Sequence, residues 1–487
     1  MASIEEIESK VIDALPSGLF IGGEWIQTDT TVPVENPAKG EAFAQVADAT
    51  PEQAVQALDA ACDAAADWAA TKPRDRAELL RRAFDMINER KEIFAALMTM
   101  EMGKTFNEAL GEVAYGNEYL RWFSEQTCRI EGYNAIAPAS GKRILTEKVP
   151  VGPVLAITPW NFPLAMATRK IAPALAAGCT VVVKPAKLTP LTTLLFGKVL
   201  QEAGLPAGVV NILTTNHSGA TTSPVITDPR TRKITFTGST EVGVGLLKQA
   251  ADRVLRTSME LGGNAPLVVL PDADLDVAIQ GAMDAKMRNL GEACTAGNRF
   301  IVHESIADEF TKRFTEAMAA QKVGYGLDPA TNVGPLIDGD QRDKVLGLLQ
   351  DAIDKGGKVT TGGDKIDGPG YFMQPTVVAG IQPGTRILKE EIFGPFAPVI
   401  TYADEQEAID IANGTDFGLA AYVFSADLKN AMRVGEGIET GMVGINTGVV
   451  SDAAAPFGGV KMSGLGREGS QLGIEEFLET KYYSIPL

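Results

Sequence analysis

From Val154 onward, short β-branched runs alternate with longer amphipathic stretches. Parallel strands joined by crossover helices give this pattern, because helices cover the faces of the sheet and each packs one apolar side against it. A first series of strands is predicted at Val154–Thr158, Thr180–Lys184, Val209–Leu213 and Lys233–Thr237. A second series is predicted at Ala265–Leu270, Arg299–His303, Val399–Tyr402 and Met442–Asn446. This order predicts an α/β fold with two domains.

The boundary between the two series is predicted near Glu260–Gly263, where adjacent glycines let the chain turn between sheets. Upstream of the first series, the sequence predicts a helix that starts at Pro51. Thr50 is a good N-cap, Pro51 suits the first turn, and Gln53 completes a capping box.

Composition and charge argue against several classes of protein. The chain is 45% hydrophobic and 22% charged, as is typical of globular proteins, and its net charge of −18 argues against nucleic acid as a partner. The acidic start lacks the features of a secretion signal, and the apolar run Ile171–Val183 is too short to span a bilayer. The four cysteines show no CxxC spacing. We therefore expect a cytoplasmic protein with no membrane partner and no metal.

Ligands of open α/β sheets bind beyond the carboxyl ends of the strands, so the residues after the first-series strands form a candidate site. These residues are Pro159-Trp160-Asn161, Lys184-Pro185-Ala186-Lys187 and Gly238-Ser239-Thr240-Glu241-Val242-Gly243. Lysines offer charge to phosphate or hydrogen bonds to ribose, while Gly238 and Ser239 suit a pyrophosphate near a helix start. The set predicts a dinucleotide site; the alternative is that the lysines are ordinary solvated charges.

Two other glycine patterns do not support a nucleotide site of their own. Gly464–Gly469 matches G-x-G-x-x-G, but too few residues follow it to complete a βαβ unit, so a turn is predicted. Gly238–Gly243 has the glycine spacing of a P-loop, yet Val244 stands where lysine is required. Nucleotide hydrolysis is therefore not supported.

Two glycine-containing segments supply a carboxylate and a thiol, Glu260-Leu261-Gly262-Gly263 and Gly291-Glu292-Ala293-Cys294. A thiolate attacks carbonyl carbon well, and a carboxylate can activate the water that releases the acyl group. His217 and His303 lie in no convincing catalytic context, which makes a glutamate the natural base. Acyl-thioester chemistry is predicted, although a cysteine such as Cys294, taken alone, is more often an inert buried thiol.

Five separated motifs make the chain resemble the aldehyde dehydrogenase superfamily from about Phe20 to the C-terminus. They are Pro159-Trp160-Asn161-Phe162-Pro163, Phe236-Thr237-Gly238-Ser239-Thr240, Glu260-Leu261-Gly262-Gly263, Glu390-Glu391-Ile392-Phe393-Gly394-Pro395 and Pro456-Phe457-Gly458-Gly459. The resemblance implies that Cys294 is the nucleophile and Glu260 the general base, and that Asn161 and the backbone N–H of Cys294 form the oxyanion hole. The residues expected to bind the cofactor are Thr158, Pro159, Trp160, Lys184, Ala186, Lys187, Gly238, Ser239, Gly243, Leu261, Glu391 and Phe393.

The same resemblance implies a domain organisation. We expect a Rossmann-type cofactor domain (residues 1–128 and 151–260), an α/β catalytic domain (261–455) and an active-site linker (456–470). A small β arm for oligomerisation is expected from residues 129–150 and 471–487. A homodimer or homotetramer follows from the resemblance.

Within the superfamily, the chain most resembles the succinate-semialdehyde dehydrogenases. The motifs are Thr168-Arg169-Lys170, Arg288-Asn289, Asn446-Thr447-Gly448-Val449-Val450-Ser451 and Ser463-Gly464-Leu465-Gly466-Arg467-Glu468-Gly469-Ser470. Arg169, Arg288 and Ser451 match that group's carboxylate-binding positions, and Phe457 is expected beside them. Because arginine can grip a distal carboxylate through two parallel hydrogen bonds, the implied reaction is oxidation of succinate semialdehyde to succinate.

Three alternatives to this prediction stay open. The substrate could be glutarate or 2-oxoglutarate semialdehyde, whose carboxylate would sit farther from the carbon attacked. The chain could be a nucleotide-binding relative that has lost catalysis. The two arginines, Arg169 and Arg288, could form structural ion pairs instead of a clamp.

Lys187 bears on the choice of cofactor, because many NAD-preferring relatives have a glutamate there that repels a 2′-phosphate. Lysine predicts that NADP is used and preferred, with NAD as the second cofactor. Glu292 replaces the glutamine usual in relatives, and its carboxylate would disfavour the Cys294 thiolate if it pointed inward. Ala296 stands where some relatives carry a second cysteine, which excludes a redox pair at that spacing.

Overall fold

The structure is a computed structural model that describes residues 3–487, in which helices and strands alternate along most of the chain. The helices are α1 (Ile4–Ala14), α2 (Pro51–Ala70), α3 (Pro73–Glu89), α4 (Lys91–Met102), α5 (Phe106–Gln126), α6 (Pro163–Ala177), α7 (Leu191–Glu202), α8 (Ser218–Thr227), α9 (Thr240–Ala251), α10 (Leu275–Met287), α11 (Glu304–Ala319), α12 (Gly339–Asp354), α13 (Glu405–Asn413), α14 (Leu428–Gly437) and α15 (Leu472–Glu475). The strands are β1 (Leu19–Ile21), β2 (Glu24–Ile26), β3 (Thr31–Asn36), β4 (Glu41–Ala47), β5 (Asn134–Ile136), β6 (Arg143–Pro150), β7 (Val154–Ile157), β8 (Val181–Lys184), β9 (Val210–Ile212), β10 (Lys233–Thr237), β11 (Arg256–Glu260), β12 (Ala265–Val269), β13 (Gly297–His303), β14 (Lys358–Thr361), β15 (Thr376–Ala379), β16 (Phe396–Tyr402), β17 (Phe417–Gly418), β18 (Ala420–Phe424), β19 (Met442–Ile445), β20 (Val460–Lys461), β21 (Gly464–Leu465) and β22 (Leu478–Ile485).

The larger sheet has eight strands in the order β2-β1-β9-β8-β7-β10-β11-β21. Its central strands, from β9 to β11, run parallel, whereas β1 and β21 pair antiparallel at the two sides. Ile157 lies opposite both Lys184 and Phe236, and Thr237 lies opposite Glu260. The segments that follow these strands therefore leave the sheet at one edge, where ligands of such sheets bind.

The second sheet has seven strands in the order β14-β15-β16-β13-β12-β18-β19, and all but β14 run parallel. The predicted boundary at residues 260 and 261 falls between β11 and β12, which belong to different sheets. We keep the predicted division into cofactor and catalytic domains as a proposal.

Each of the predicted strands forms, with ends that differ by a few residues at most. The prediction missed β11, β15 and β18, which are internal to their sheets. Strand β11 reads RTSME and is poor in the residues that favour strands, whereas β15 (TVVA) and β18 (AAYVF) contain such residues but are short. Pairing with a strand on each side fixes their conformation.

The predicted capping box of α2 is confirmed. The Thr50 hydroxyl accepts a hydrogen bond from the backbone N–H of Gln53 at 3.3 Å, and the Gln53 side chain accepts one from the backbone N–H of Thr50 at 2.9 Å. The segment Gly464–Gly469 does not open a dinucleotide-binding helix. It forms the short β21 and a turn, and a Cβ on Gly464 would lie 1.8 Å from the carbonyl oxygen of Met259.

Strands β5, β6 and β22 form a separate three-stranded antiparallel sheet from the two segments predicted to form an arm. Apolar side chains remain exposed on this sheet and its connections, namely Tyr133, Ile136, Leu145, Tyr482 and Ile485. Among residues 3–487, no helix combines the length and apolar character needed to cross a membrane.

Candidate active site

Cys294 lies in the loop between α10 and β13, where the chain passes close to other backbone segments. Gly291 has a φ of 76°, and a Cβ there would lie 2.4 Å from the carbonyl oxygen of Gly394. A Cβ on Gly263 would lie 2.2 Å from the carbonyl oxygen of Cys294. Gly263 therefore lets the nucleophile loop pack directly on the chain that follows Glu260, and Gly291 lets it pack on the segment at Gly394.

Glu260 is the last residue of β11 and is buried, with 3% of its surface exposed. Its backbone carbonyl accepts a hydrogen bond from the N–H of Gly238 at 3.0 Å, which links it to the predicted pyrophosphate loop. Its side-chain Oε2 is buried and has no hydrogen-bond partner within residues 3–487. The strand thus delivers a carboxylate oxygen that remains available to water or substrate.

Asn161 contacts the nucleophile loop directly. Its Nδ2 donates to the carbonyl oxygen of Glu292 at 2.9 Å, and its own carbonyl oxygen accepts from Lys104 Nζ at 2.8 Å. An amide nitrogen carries two hydrogens, so one N–H is held by the loop and the second can meet a ligand. The structure thereby brings the predicted oxyanion-hole side chain to the segment that carries Cys294.

Burial dominates the electrostatics of both predicted catalytic groups. It raises the pKa of the Cys294 thiol to about 12, although the positive charges of Arg169 and Arg288 act in the opposite direction. Burial, reinforced by the negative charge of Glu468, also raises the pKa of Glu260 well above its ordinary value. Burial therefore favours the protonated form of each group in the free protein.

Arg169 is paired with Glu468. Its Nε donates to the Glu468 carboxylate at 2.7 Å, and its guanidinium lies 3.9 Å from the centre of the Phe457 ring. Lys170 Nζ donates to the other carboxylate oxygen at 2.6 Å. Although burial acts in the opposite direction, Arg169 and Lys170 lower the pKa of Glu468. Arg169 thus forms a buried ion pair, which was one of the alternatives left open by the sequence.

Arg288 is the second predicted carboxylate-binding residue, and it makes no ion pair within residues 3–487. Its Nη1 donates to Ser451 Oγ at 3.3 Å, and its guanidinium lies 5.5 Å from the ring centre of Tyr115 and 5.2 Å from that of Phe162. It also lines a cavity of about 660 Å³ that opens to the surface. Arg288 therefore presents a charged guanidinium, held between two aromatic rings, to a surface cavity that is lined by none of the three predicted catalytic residues.

The Glu292 side chain hydrogen-bonds to the backbone of a distant segment of the chain. One carboxyl oxygen accepts from the backbone N–H of Ile337 at 3.2 Å, and the other is buried without a partner within residues 3–487. Burial raises the pKa of this carboxyl well above its ordinary value. Burial therefore disfavours the charged form of Glu292, which is the form that would oppose the Cys294 thiolate.

The edge of the larger sheet carries the residues predicted for the adenosine end of a dinucleotide. Lys184 Nζ donates to Ser218 Oγ at 2.9 Å, and burial together with the positive charge of Lys187 lowers the Lys184 pKa to about 8. Lys187 is exposed, and Ala186 beside it is half-buried. Two cations and a helix N-terminus at Ser218 fit a phosphorylated ribose.

The pyrophosphate and nicotinamide ends have matching features. Ser239 caps α9, and Gly243 leaves room for Leu261, because a Cβ on Gly243 would lie 2.4 Å from the Leu261 Cδ2. Glu391 accepts from the backbone N–H of Gly263 at 3.1 Å, and burial raises its pKa to about 7. The chemistry of the set fits a dinucleotide.

Four further predicted cofactor residues lie at the same edge. The rings of Trp160 and Phe393 meet edge to face at 5.3 Å, half-buried Pro159 precedes Trp160, and Thr158 Oγ1 is buried without a partner within residues 3–487. An unpaired buried hydroxyl can donate to a bound ligand.

The structure thus places the predicted residues around one region between the two sheets. Sequence reasoning missed Lys104, Ser218 and the pairing role of Glu468, and it gave Asn289 no role. Asn289 and Glu468 stand inside quoted motifs, whereas Lys104 and Ser218 have no signal of their own in the sequence.

An α/β fold with a thiol, a buried carboxylate and a dinucleotide edge is the arrangement found in one class of oxidoreductase. The model of the aldehyde dehydrogenase family matches residues 25–483, and the chain belongs to that family. The chain is 58% identical to the succinate-semialdehyde dehydrogenase of Paenarthrobacter nicotinovorans, over 91% of this chain and 98% of the relative.

Two other relatives bear on substrate and cofactor. The chain is 44% identical to the glutarate-semialdehyde dehydrogenase of Pseudomonas putida, over 96% of this chain and 97% of that protein. It superposes with a TM-score of 0.96 on the crystal structure of an NADP-dependent enzyme of Escherichia coli, at 43% identity, over 98% of this chain and 99% of the other.

Proposed function

We propose that the protein oxidises succinate semialdehyde to succinate and uses NADP in preference to NAD. The observation that carries the proposal is Arg288, which is free of ion pairs within residues 3–487 and whose charge acts on the Cys294 thiol. A guanidinium in that place can hold the distal carboxylate of a short semialdehyde while the aldehyde reaches the sulfur. The Paenarthrobacter relative supports the same substrate.

In the first step, the Cys294 thiol gives up its proton to water, and the resulting thiolate attacks the aldehyde carbon, so that a C–S bond forms as the C=O π bond breaks. The carbonyl oxygen becomes an oxyanion, which the free N–H of the Asn161 amide and the backbone N–H of Cys294 stabilise. When bound, the nicotinamide cofactor supplies the acceptor for the hydride.

In the second step, Glu260 takes a proton from a water molecule that attacks the thioester carbon. The C–S bond breaks, the acid is released, and Cys294 leaves as a thiolate. Because Glu260 must be ionised to act as a base, its raised pKa shifts the rise of this step to higher pH than an exposed glutamate would give.

Residues on the sheet edge would hold the cofactor. Lys184 and Lys187 would meet the adenosine ribose and its phosphate, Gly238 and Ser239 the pyrophosphate, and Glu391 the nicotinamide ribose. The two lysines, Lys184 and Lys187, support NADP over NAD, because the 2′-phosphate of NADP would place negative charge beside their positive charges. The crystallised Escherichia coli enzyme, described as NADP-dependent, supports the same choice.

Glutarate semialdehyde is the second candidate substrate. It has the same two functional groups as succinate semialdehyde, with one more methylene between them. The Pseudomonas putida relative favours it at 44% identity.

The proposal is tested by following NADPH formation with succinate semialdehyde, glutarate semialdehyde and each cofactor. We expect the highest kcat/KM for succinate semialdehyde with NADP and loss of turnover in Cys294→Ala. Turnover that survives in Cys294→Ala would exclude the proposed nucleophile, and a higher kcat/KM for glutarate semialdehyde would reassign the substrate.

We also propose that the sheet of β5, β6 and β22 joins copies of the chain into a homodimer or homotetramer. Its exposed apolar side chains support this, because the register places Ile136, Leu145 and Ile485 on one face of the sheet, and clustered exposed apolar side chains are characteristic of an interface.

A further inference from the structure

The chain between α10 and Cys294 takes an unusual backbone conformation at Asn289. Asn289 and Leu290 have φ angles of 55° and 58°, in the left-handed region that few non-glycine residues adopt. Asparagine tolerates this region better than most residues. The backbone N–H of Asn289 donates to Glu108 Oε1 at 2.7 Å, which holds the turn in place.

This conformation points the Asn289 amide at two chain segments at once. Its Nδ2 lies 3.0 Å from the carbonyl oxygen of Asn161 and 2.9 Å from that of Glu292, and it donates to both. Asn161 Nδ2 also donates to the Glu292 carbonyl, at 2.9 Å. Three hydrogen bonds therefore connect Asn161, Asn289 and Glu292 in a closed set.

The two segments joined by Asn289 are the two halves of the proposed oxyanion hole. Asn161 supplies the amide, and the Glu292 carbonyl lies one residue from the peptide N–H of Cys294. Asn289 is buried, with 1% of its surface exposed, so water does not compete readily for these bonds. Stabilisation of an oxyanion depends on donors that are held in place before the charge forms.

We propose that Asn289 is a positioning residue that sets the distance between the two donors of the oxyanion hole. The inference rests on the proposed function, because it concerns the same attack by Cys294. Asn289 acts through Asn161 and through the Cys294 loop. Lys104 also donates to the backbone carbonyl of Asn161, and this hydrogen bond does not depend on Asn289. Changing Asn289 should therefore loosen the spacing between Asn161 and the Cys294 loop without removing every contact of Asn161.

The test uses Asn289→Asp and Asn289→Gly. Aspartate and glycine both accept a left-handed backbone, and neither has the side-chain N–H groups with which Asn289 donates. Asn117→Asp is the matched control. Asn117 is also buried, its Nδ2 donates to the Phe84 carbonyl at 2.9 Å, and its Oδ1 likewise lacks a partner within residues 3–487. The wild-type protein is assayed first with succinate semialdehyde and NADP.

We expect both Asn289 variants to lose kcat by about 10- to 100-fold, less than the loss of about 100- to 1,000-fold expected for removal of an oxyanion donor. The KM for the aldehyde and the rate of Cys294 alkylation by iodoacetamide should change less than threefold, because alkylation forms no oxyanion. Asn117→Asp should retain kcat. Active sites are counted by NADP binding, which corrects for any unfolded fraction.

A double variant separates positioning from an independent effect. Because Asn289 acts through Asn161, the loss in Asn161→Ala/Asn289→Gly should fall well below the product of the two single losses. Fully multiplicative losses, unchanged kcat in both single variants, or an equal fall in alkylation rate and kcat would overturn the inference. An inactive wild-type protein would instead refute the proposed function.

Discussion

At the scale of single residues, burial determines which carboxyl groups carry charge. Glu292 is fully buried, and the groups that face it are the Ile337 N–H, Asp338, Lys104 and Glu108. Burial is the largest influence, and it raises the pKa of Glu292 well above the value of about 4.3 for an exposed glutamate. The neutral acid resembles a glutamine in shape.

We predict that Glu292→Gln keeps its activity near neutral pH and gains stability over the wild type as pH rises. Above about pH 4.3 the unfolded chain releases this proton while the folded protein retains it, so wild-type stability falls with rising pH until the folded group also ionises. Urea midpoints at about pH 5 and about pH 8 measure the difference. If the urea midpoint of Glu292→Gln does not rise relative to that of the wild type between the lower and the higher pH, the raised pKa of Glu292 would be contradicted.

A second prediction concerns Lys187 and the cofactor. Lys187→Glu places a negative charge beside the site proposed for the 2′-phosphate, so the ratio of kcat/KM for NADP to that for NAD should fall at least tenfold, about 1.4 kcal/mol. Lys91→Glu makes the same charge change on α4 and should leave the ratio unaltered. Unchanged NADP kinetics in Lys187→Glu would remove this residue from the cofactor site.

At the scale of elements, a buried ion pair fixes how α5 meets α6. Lys104 and Glu112 are paired, with 1% and 0% of their side chains exposed. Glu112 Oε1 also accepts from the N–H groups of Leu164 and Ala165, at 2.9 and 3.2 Å, and so caps the start of α6. Since α6 follows Asn161 and carries Arg169, this contact positions the site.

We predict that Glu112→Gln lowers the free energy of unfolding by about 3 kcal/mol, because it leaves Lys104 buried without a counter-charge. Glu405→Gln removes the partner of Arg433 in an exposed pair and should cost about 0.5 kcal/mol or less. Urea denaturation measures both. Equal costs would show that the buried pair contributes no more than a surface one.

The sequence predicted elements well where composition and local signals agree. The capping box at Thr50 and the strand Lys233–Thr237 depend on neighbouring residues or β-branched runs, and both form as predicted. Strand β11 could not be predicted in this way, because its polar residues become a strand only between β10 and β21.

The site shows the same limit. Motifs located Cys294, Glu260 and Asn161 along the chain, but the pairing of Arg169 with Glu468 joins residues 299 positions apart. Only the folded structure shows which of the two arginines keeps a free charge.

At the scale of the whole molecule, the apolar surface of the three-stranded sheet predicts an assembly. We expect light scattering to give two or four times the mass of one chain. The double variant Ile136→Asp/Leu145→Asp should reduce that mass, because it places two charges on the face of the sheet that carries the exposed apolar side chains. Ile12→Asp changes an exposed apolar residue of α1 and should leave the mass unaltered. A monomeric wild-type protein would refute the arm's role.

The most direct test of the account is the preference for a carboxylated aldehyde over an uncharged one. It compares kcat/KM for succinate semialdehyde with that for butanal, in the wild type and in Arg288→Leu. We predict a wild-type preference of about 100-fold or more, consistent with a buried charge-assisted contact of roughly 3 kcal/mol. In Arg288→Leu the preference should fall at least tenfold through KM, with butanal turnover retained. Equal use of both aldehydes by the wild type, or an unchanged preference in Arg288→Leu, would contradict the account.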